Sequence, residues 1–238
     1  MKQKSIRKII LVGFLFVLFS CSVGKIDAQA ASKAKYSYQK VDVSQTYDSG
    51  RVKATVYYKK PVLKGKSSAI NKINKSITKD CNNFIYSESA KSLCEYAKYE
   101  AEEGNLKNEK IEYYFYANTK VTYNNKGIIS IKVKTYWYAG GVSNTDVYGL
   151  NYSLKTGKKL KLTNVCSGSK TSVKKAVLQK VKKDKDAAQI DWTKLNSYDV
   201  NKMRFFIKPG KKAIVCFGPY EICYGGWYRT YTIKSKYK

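Results

Sequence analysis

The run from Ile111 to Tyr138 constrains this chain most. Tyr113, Tyr114, Phe115, Tyr116, Val121 and Tyr123 crowd its first half, and Ile128 to Tyr138 follow a break at Asn124-Asn125-Lys126-Gly127. Aromatic and β-branched residues fit a pleated surface, and an Asn/Lys/Gly break between two such runs is the mark of a tight hairpin. In the return run, period-two alternation places Ile129, Ile131, Val133, Thr135 and Trp137 on one face. Ser130, Lys132, Lys134, Tyr136 and Tyr138 share the other, so Trp137 is expected buried and Tyr136 and Tyr138 exposed. The run ends in a double glycine, Gly140-Gly141, after which Val147 to Leu154 reads as a strand closed by the turn Lys155-Thr156-Gly157-Lys158, with Leu160 and Leu162 returning.

Other segments are assembled around this hairpin. Tyr36 to Val43 and Arg51 to Tyr58 alternate like a strand pair turned at Asp48-Ser49-Gly50, with Pro61 ending the second strand. The period then changes: Ile70, Ile73, Ile77, Cys81 and Phe84 mark one helix face behind a Ser67 or Ser68 cap. Leu93, Tyr96, Ala97 and Glu100 continue that rhythm to Gly104. Val173, Ala176, Val177 and Val181 mark a second helix starting near Ser169, whose other face carries Lys170, Lys174, Lys180 and Lys182. Met203 to Ile207, Ala213 to Phe217 and Tyr228 to Ile233 read as further strands. These patterns predict an α+β fold with mostly antiparallel sheets, a long helix in the N-terminal half and a basic helix in the C-terminal half. The double glycine divides it into domains over 36–141 and 142–236.

Residues 1–30 read as a signal peptide. Lys2, Lys4, Arg7 and Lys8 precede an apolar run from Ile9 to Phe19, too short to span a bilayer permanently. Two processing sites compete: Ala28-Gln29-Ala30 fits cleavage after Ala30, and Leu18-Phe19-Ser20-Cys21 fits lipidation at Cys21. Either route implies an exported protein, secreted or held at the cell surface, with membrane contact only through a lipid anchor. Of 46 basic residues only four are arginines, and the formal charge is +29. Loss of residues 1–30 removes five basic residues and one acidic residue, leaving +25. A lysine-dominated charge suits diffuse attraction to polyanions, whereas bidentate phosphate or base reading favours arginine. Export and the scarcity of arginine argue against a nucleic-acid partner.

Chemistry is hard to build from these residues. The chain has no histidine, which removes the usual base and the commonest metal ligand. Five cysteines follow residue 30 without a C-x-x-C pair, and the odd number implies a free thiol or an intermolecular bond. Cys81 and Cys94 lie ~20 Å apart on a straight helix and can pair only if it breaks near Ser87-Glu88-Ser89. Carboxylates are few and scattered. No catalytic residue, metal site or cofactor is therefore expected, and the chain reads as a non-enzyme. Candidate ligand-binding residues are the exposed aromatics Tyr136 and Tyr138, and the cluster Tyr220, Glu221, Tyr224 and Tyr228 among the glycines of the 218–226 segment. Anchoring of that turn is the plainer role for Glu221.

Tyr136-Trp137-Tyr138-Ala139-Gly140-Gly141, the Leu150 to Lys158 segment, and Pro219-Tyr220-Glu221-Ile222 with Gly225-Gly226 together resemble a pair of exported domains. That pair forms the extracellular region of the anti-sigma factor RsiV, a lysozyme receptor, and the N-terminal region of the peptidoglycan deacetylase PdaC. The resemblance spans about Tyr36 to Lys236. Where that family commonly has Ala-His after the double glycine, Val142-Ser143 stand here. It implies an exported α+β binding module of the cell envelope. The expected partner is an anionic cell-wall polymer or a peptidoglycan glycan. Two alternatives are a lysozyme-sensing protein without the anti-sigma part, and an enzyme of peptidoglycan modification or its accessory. Common animal lysozymes are cationic, so a +25 chain repels them at long range.

Overall fold

A computed structural model describes residues 33–103 and 110–238. The expected signal peptide, its cleavage site and Cys21 lie outside the described residues. The larger sheet contains β1 (Lys35–Asp42), β2 (Gln45–Tyr47), β3 (Val52–Lys64), β4 (Ile111–Asn125), β5 (Ile128–Tyr138) and β6 (Ser143–Ser153). Its order is β1-β3-β4-β5-β6, with the short β2 paired to β3. The β4–β5 hairpin forms as expected, with Asn125 opposite Ile128 across the two-residue Lys126-Gly127 turn. The β5–β6 connection turns through Gly140 and Gly141, whose φ values of 60° and 93° lie where residues with a side chain are strained.

One ladder departs from the antiparallel pattern. β3 and β4 run parallel, Val52–Tyr58 against Ile111–Ala117, and a helical crossover joins them. The crossover is α1 (Ser68–Ile85) followed by α2 (Glu88–Glu103). Ser67 caps α1 by accepting from the Ile70 N–H at 3.2 Å. The path bends at Tyr86-Ser87, where Ser87 Oγ donates to the Phe84 carbonyl and accepts from the Ala90 N–H. A break near Ser87 was the condition for joining Cys81 to Cys94, yet both thiols are free. The bend directs them into different packing: Cys81 sits with Ile73, Ile77 and Ile131, and Cys94 rests against Val52, Ala54 and Leu93.

Helix α1 is fastened to the sheet by polar contacts as well as by its apolar face. The hydroxyls of Tyr58 and Tyr148 both donate to Asp80 Oδ2 at 2.8 Å. Asn74 pairs with the free edge of β3, accepting from the Leu63 N–H at 2.9 Å and donating to the Leu63 carbonyl at 2.8 Å. That edge also explains Pro61. The strand was expected to end there, but β3 continues to Lys64, because beyond Tyr58 its β4 side is unpaired and a proline costs no ladder bond.

A smaller sheet, β7 (Arg204–Lys208), β8 (Lys212–Phe217) and β9 (Arg229–Lys234), is antiparallel in chain order. Before it come α3 (Leu162–Val165), the basic α4 (Lys170–Val181) and α5 (Trp192–Ser197). Leu162 therefore begins a helical turn rather than returning as a strand. Val173, Val177 and Val181 bury the apolar side of α4 against Ile207, Val215 and Ile233.

β7 lies across β5 and β6 at a polar seam. Ser130 Oγ donates to Asn151 Oδ1 at 2.6 Å and accepts from the Ile207 N–H at 2.8 Å, while Asn151 Nδ2 donates to the Phe205 carbonyl at 2.6 Å. Ser130 is fully buried and Asn151 nearly so. Gly149 makes this approach possible, because a Cβ there would stand 1.7 Å from the Phe205 oxygen. The larger sheet thus runs to Ser153, and the expected boundary at 141/142 falls inside the β5–β6 turn.

Candidate functional site

At the end of the strands away from that seam, the face opposite the helices carries a ladder of tyrosines. Register places Tyr57, Tyr116 and Tyr136 side by side on β3, β4 and β5, with Tyr114 and Tyr138 as the adjacent rung. The Tyr57 and Tyr116 rings stack 5.1 Å apart at 6°, and Tyr116 meets Tyr136 at 5.4 Å. Tyr114 lies 6.4 Å from Tyr116 and 6.1 Å from Tyr138. With strands ~4.8 Å apart, the three-ring row spans roughly 10 Å. Each ring is half-buried, largely by its neighbours, so Tyr136 and Tyr138 are less exposed than alternation predicts. Likewise Trp137, expected buried, is only half-buried on the other face. At the ladder's end Glu112 accepts from the Tyr114 hydroxyl at 2.9 Å and pairs with Lys53 at 3.2 Å.

Positive charge surrounds the ladder. The Lys40 ammonium sits 4.7 Å from the centre of the Tyr57 ring. Alternation brings Lys59, Lys120, Lys132 and Lys134 to the same face. Lys132 and Lys208 both approach the Phe206 ring, at 5.6 and 5.8 Å. Burial, and then the charges of Lys208 and Lys134, hold the Lys132 ammonium below the ordinary lysine range. An anion placed there would relieve that crowding.

The second predicted cluster does not join the first. Tyr220 and Tyr224 are 61% and 72% exposed on the 218–226 loop, and Tyr228 packs on Val147, Phe206, Ile214 and Cys216. Glu221 is structural: it accepts from the Tyr198 hydroxyl, and its other oxygen pairs with Arg204 Nη2 at 2.6 Å. Arg204 also grips Asp146 through both terminal nitrogens, at 2.6 and 3.3 Å. Burial and Glu221 push the Tyr198 phenol up to about 12. Tyr57, Tyr114 and Tyr116 were missed as site residues. The i, i+2 spacing of Tyr114 and Tyr116 is a visible signal, but no local pattern reports that β3 lies beside β4.

Residues 49–143 match the family model described as Deacetylase PdaC. A DUF3298 family member from Bacteroides fragilis has a similar structure, with a TM-score of 0.56 at 13% identity, covering 85% of this chain and 91% of that one. A DUF3298 family protein from Pseudomonas aeruginosa aligns at 13% identity over 84% of this chain and 91% of its own, with a TM-score of 0.48. No curated protein matches the chain in sequence. The segment from the β2–β3 turn to the start of β6, tyrosine ladder included, thus resembles a PdaC-type domain of unknown function, within a chain that shares the fold of the Bacteroides DUF3298 protein.

Proposed function

We propose that this chain is a non-catalytic, exported binding module that holds to an anionic polymer of the cell envelope through the tyrosine ladder and its lysine border. The ladder carries the reading. Five tyrosines in register form a preformed surface with little side-chain entropy left to lose, and stacking on aromatic faces tolerates variation along a repeating polymer. The lysines supply long-range attraction, and the crowded Lys132–Lys208 end favours a negative group between them. Export is read from residues 1–30.

Retention on purified cell walls tests this directly. Retention should fall as NaCl rises from 0.05 to 0.5 M, and should be lost on walls stripped of anionic polymer. A Tyr116→Ala variant of unchanged thermal midpoint should bind at least fivefold more weakly. Equal retention by stripped and intact walls would refute the polymer reading. Turnover of peptidoglycan fragments by the purified chain would refute the non-catalytic one.

A further inference from the structure

On the helix side of the larger sheet, two clefts of about 380 and 520 Å³ share Ser89 and Trp137 and so form one groove. It lies between the start of α2, the ends of β5 and β6, and the 218–226 loop. Its aromatic walls are Trp137, Phe115, Tyr96 and Tyr220, and its polar groups include Ser89, Ser92, Thr135 and Asn144. Among the described residues lining it there is no lysine or arginine, in a chain with 46 basic residues. Its two carboxylates already have partners: Asp146 is held by Arg204, and Glu88 pairs with Lys91 at 2.8 Å. The charges at the groove are therefore paired, unlike those of the lysine-rich ladder face, and it has the size of a small-ligand site.

We infer that this groove binds an uncharged pyranose saccharide. A pyranose ring presents an apolar C–H face to an aromatic wall and a rim of hydroxyls to short polar side chains, and this lining supplies both. A polyanion finds no lysine or arginine among the residues that line the groove. The Asn144 Oδ1, covered and without a hydrogen-bond partner, is an unmet acceptor in the wall. Asn144 also lines the groove, and its amide group adds both a donor and an acceptor to the polar rim. The inference stands apart from the proposed polymer binding, which uses the opposite face and depends on salt.

The test is an NMR titration of the intact chain, following the Trp137 indole N–H, assigned by its disappearance in Trp137→Phe. Cellotriose and tri-N-acetylchitotriose are the probes, each at 0.05 and 0.5 M NaCl. The expected result is a saturable shift of the Trp137 signal with at least one probe, unchanged by salt and at least fivefold weaker in Tyr220→Ala. Tyr220 is largely exposed, so that variant keeps its fold. A Trp137 signal unmoved by both saccharides overturns the inference, as does a shift that salt abolishes or that Tyr220→Ala leaves intact.

Discussion

Replacing Ser130 by alanine should loosen the seam between the two sheets. The change removes two hydrogen bonds, one to Asn151 at 2.6 Å and one from the Ile207 N–H at 2.8 Å. It strands a backbone donor and a side-chain acceptor where water cannot reach them. At ~1–3 kcal/mol for each orphaned group, the cost is ~2–6 kcal/mol. For a chain of this size, ~2–4 °C per kcal/mol makes that a fall of ~4–24 °C in thermal midpoint. Asn151→Ala should cost a similar amount, since it strands the Phe205 carbonyl. Because both residues serve one network, the double variant should lose ~0.5–3 kcal/mol less than the sum. Urea unfolding followed by tryptophan fluorescence and far-UV circular dichroism measures all three. A Ser130→Ala stability within ~0.5 kcal/mol of the parent, typical of an ordinary surface change, would refute the argument.

Arg204→Leu leaves Asp146 and Glu221 facing each other without their shared cation. The expected loss is about 2–3 kcal/mol, below the ~3–5 of a fully buried pair because these side chains remain partly exposed; urea unfolding checks it, and no loss would contradict the role assigned to Arg204. Burial pushes the Cys166 and Cys216 thiols up to about 11 and about 12. At pH 8 a thiol reagent should therefore modify half-buried Cys94 first and reach Cys216 only on unfolding, which mass mapping of the labelled chain can read; Cys216 labelled as fast as Cys94 would count against it. The carboxyls of Asp42 and Asp184 both lie below the usual range: burial opposes ionisation, but Lys40 and Ser44 bring Asp42 to about 2, and the Asp186 N–H, Tyr231 and Arg229 outweigh burial at Asp184. Each favours the folded state above the unfolded value near ~4, and that contribution drains away as pH falls through the lowered folded value, about 2 for Asp42. Thermal midpoints between pH 7 and 2.5 should decline below ~4, less steeply in Asp184→Asn; an identical slope in that variant would remove Asp184 from the account.

Local pattern carried much of this fold. The Asn124–Gly127 turn, the Ser67 and Ser169 caps and the valine stripe of α4 all lie where short-range rules put them. The parallel β3–β4 ladder was not legible, since it joins residues 59 apart through a helical crossover that no periodicity announces. Pro61 misled for a related reason: its tolerance depends on which side of β3 lacks a neighbour. The site followed the same division. Alternation paired Tyr136 with Tyr138 correctly, yet their partners Tyr57 and Tyr116 belong to strands on either side of the illegible seam. The setting of glycines and tyrosines marks Glu221 and suggests its anchoring role, but its partners Arg204 and Tyr198 lie 17 and 23 residues away, where no local pattern names them.

The parallel seam also has a kinetic meaning. β1 and β3 form a nearly local pair, and β4, β5 and β6 form a meander of short turns, so each half can assemble by small loop closures. Joining Val52–Tyr58 to Ile111–Ala117 requires closing a loop of roughly sixty residues, a step whose entropic cost grows with length and which places the seam late in folding. Because Tyr57 and Tyr116 stand on opposite sides of it, their stacked pair is created by that closing step. The tyrosine ladder then matures last, and refolding followed by hydrogen exchange should protect Ile129, Ile131 and Val133 before Ile111, whose N–H donates to the Arg51 carbonyl across the seam at 2.9 Å. Simultaneous protection would mean that the two halves do not assemble separately.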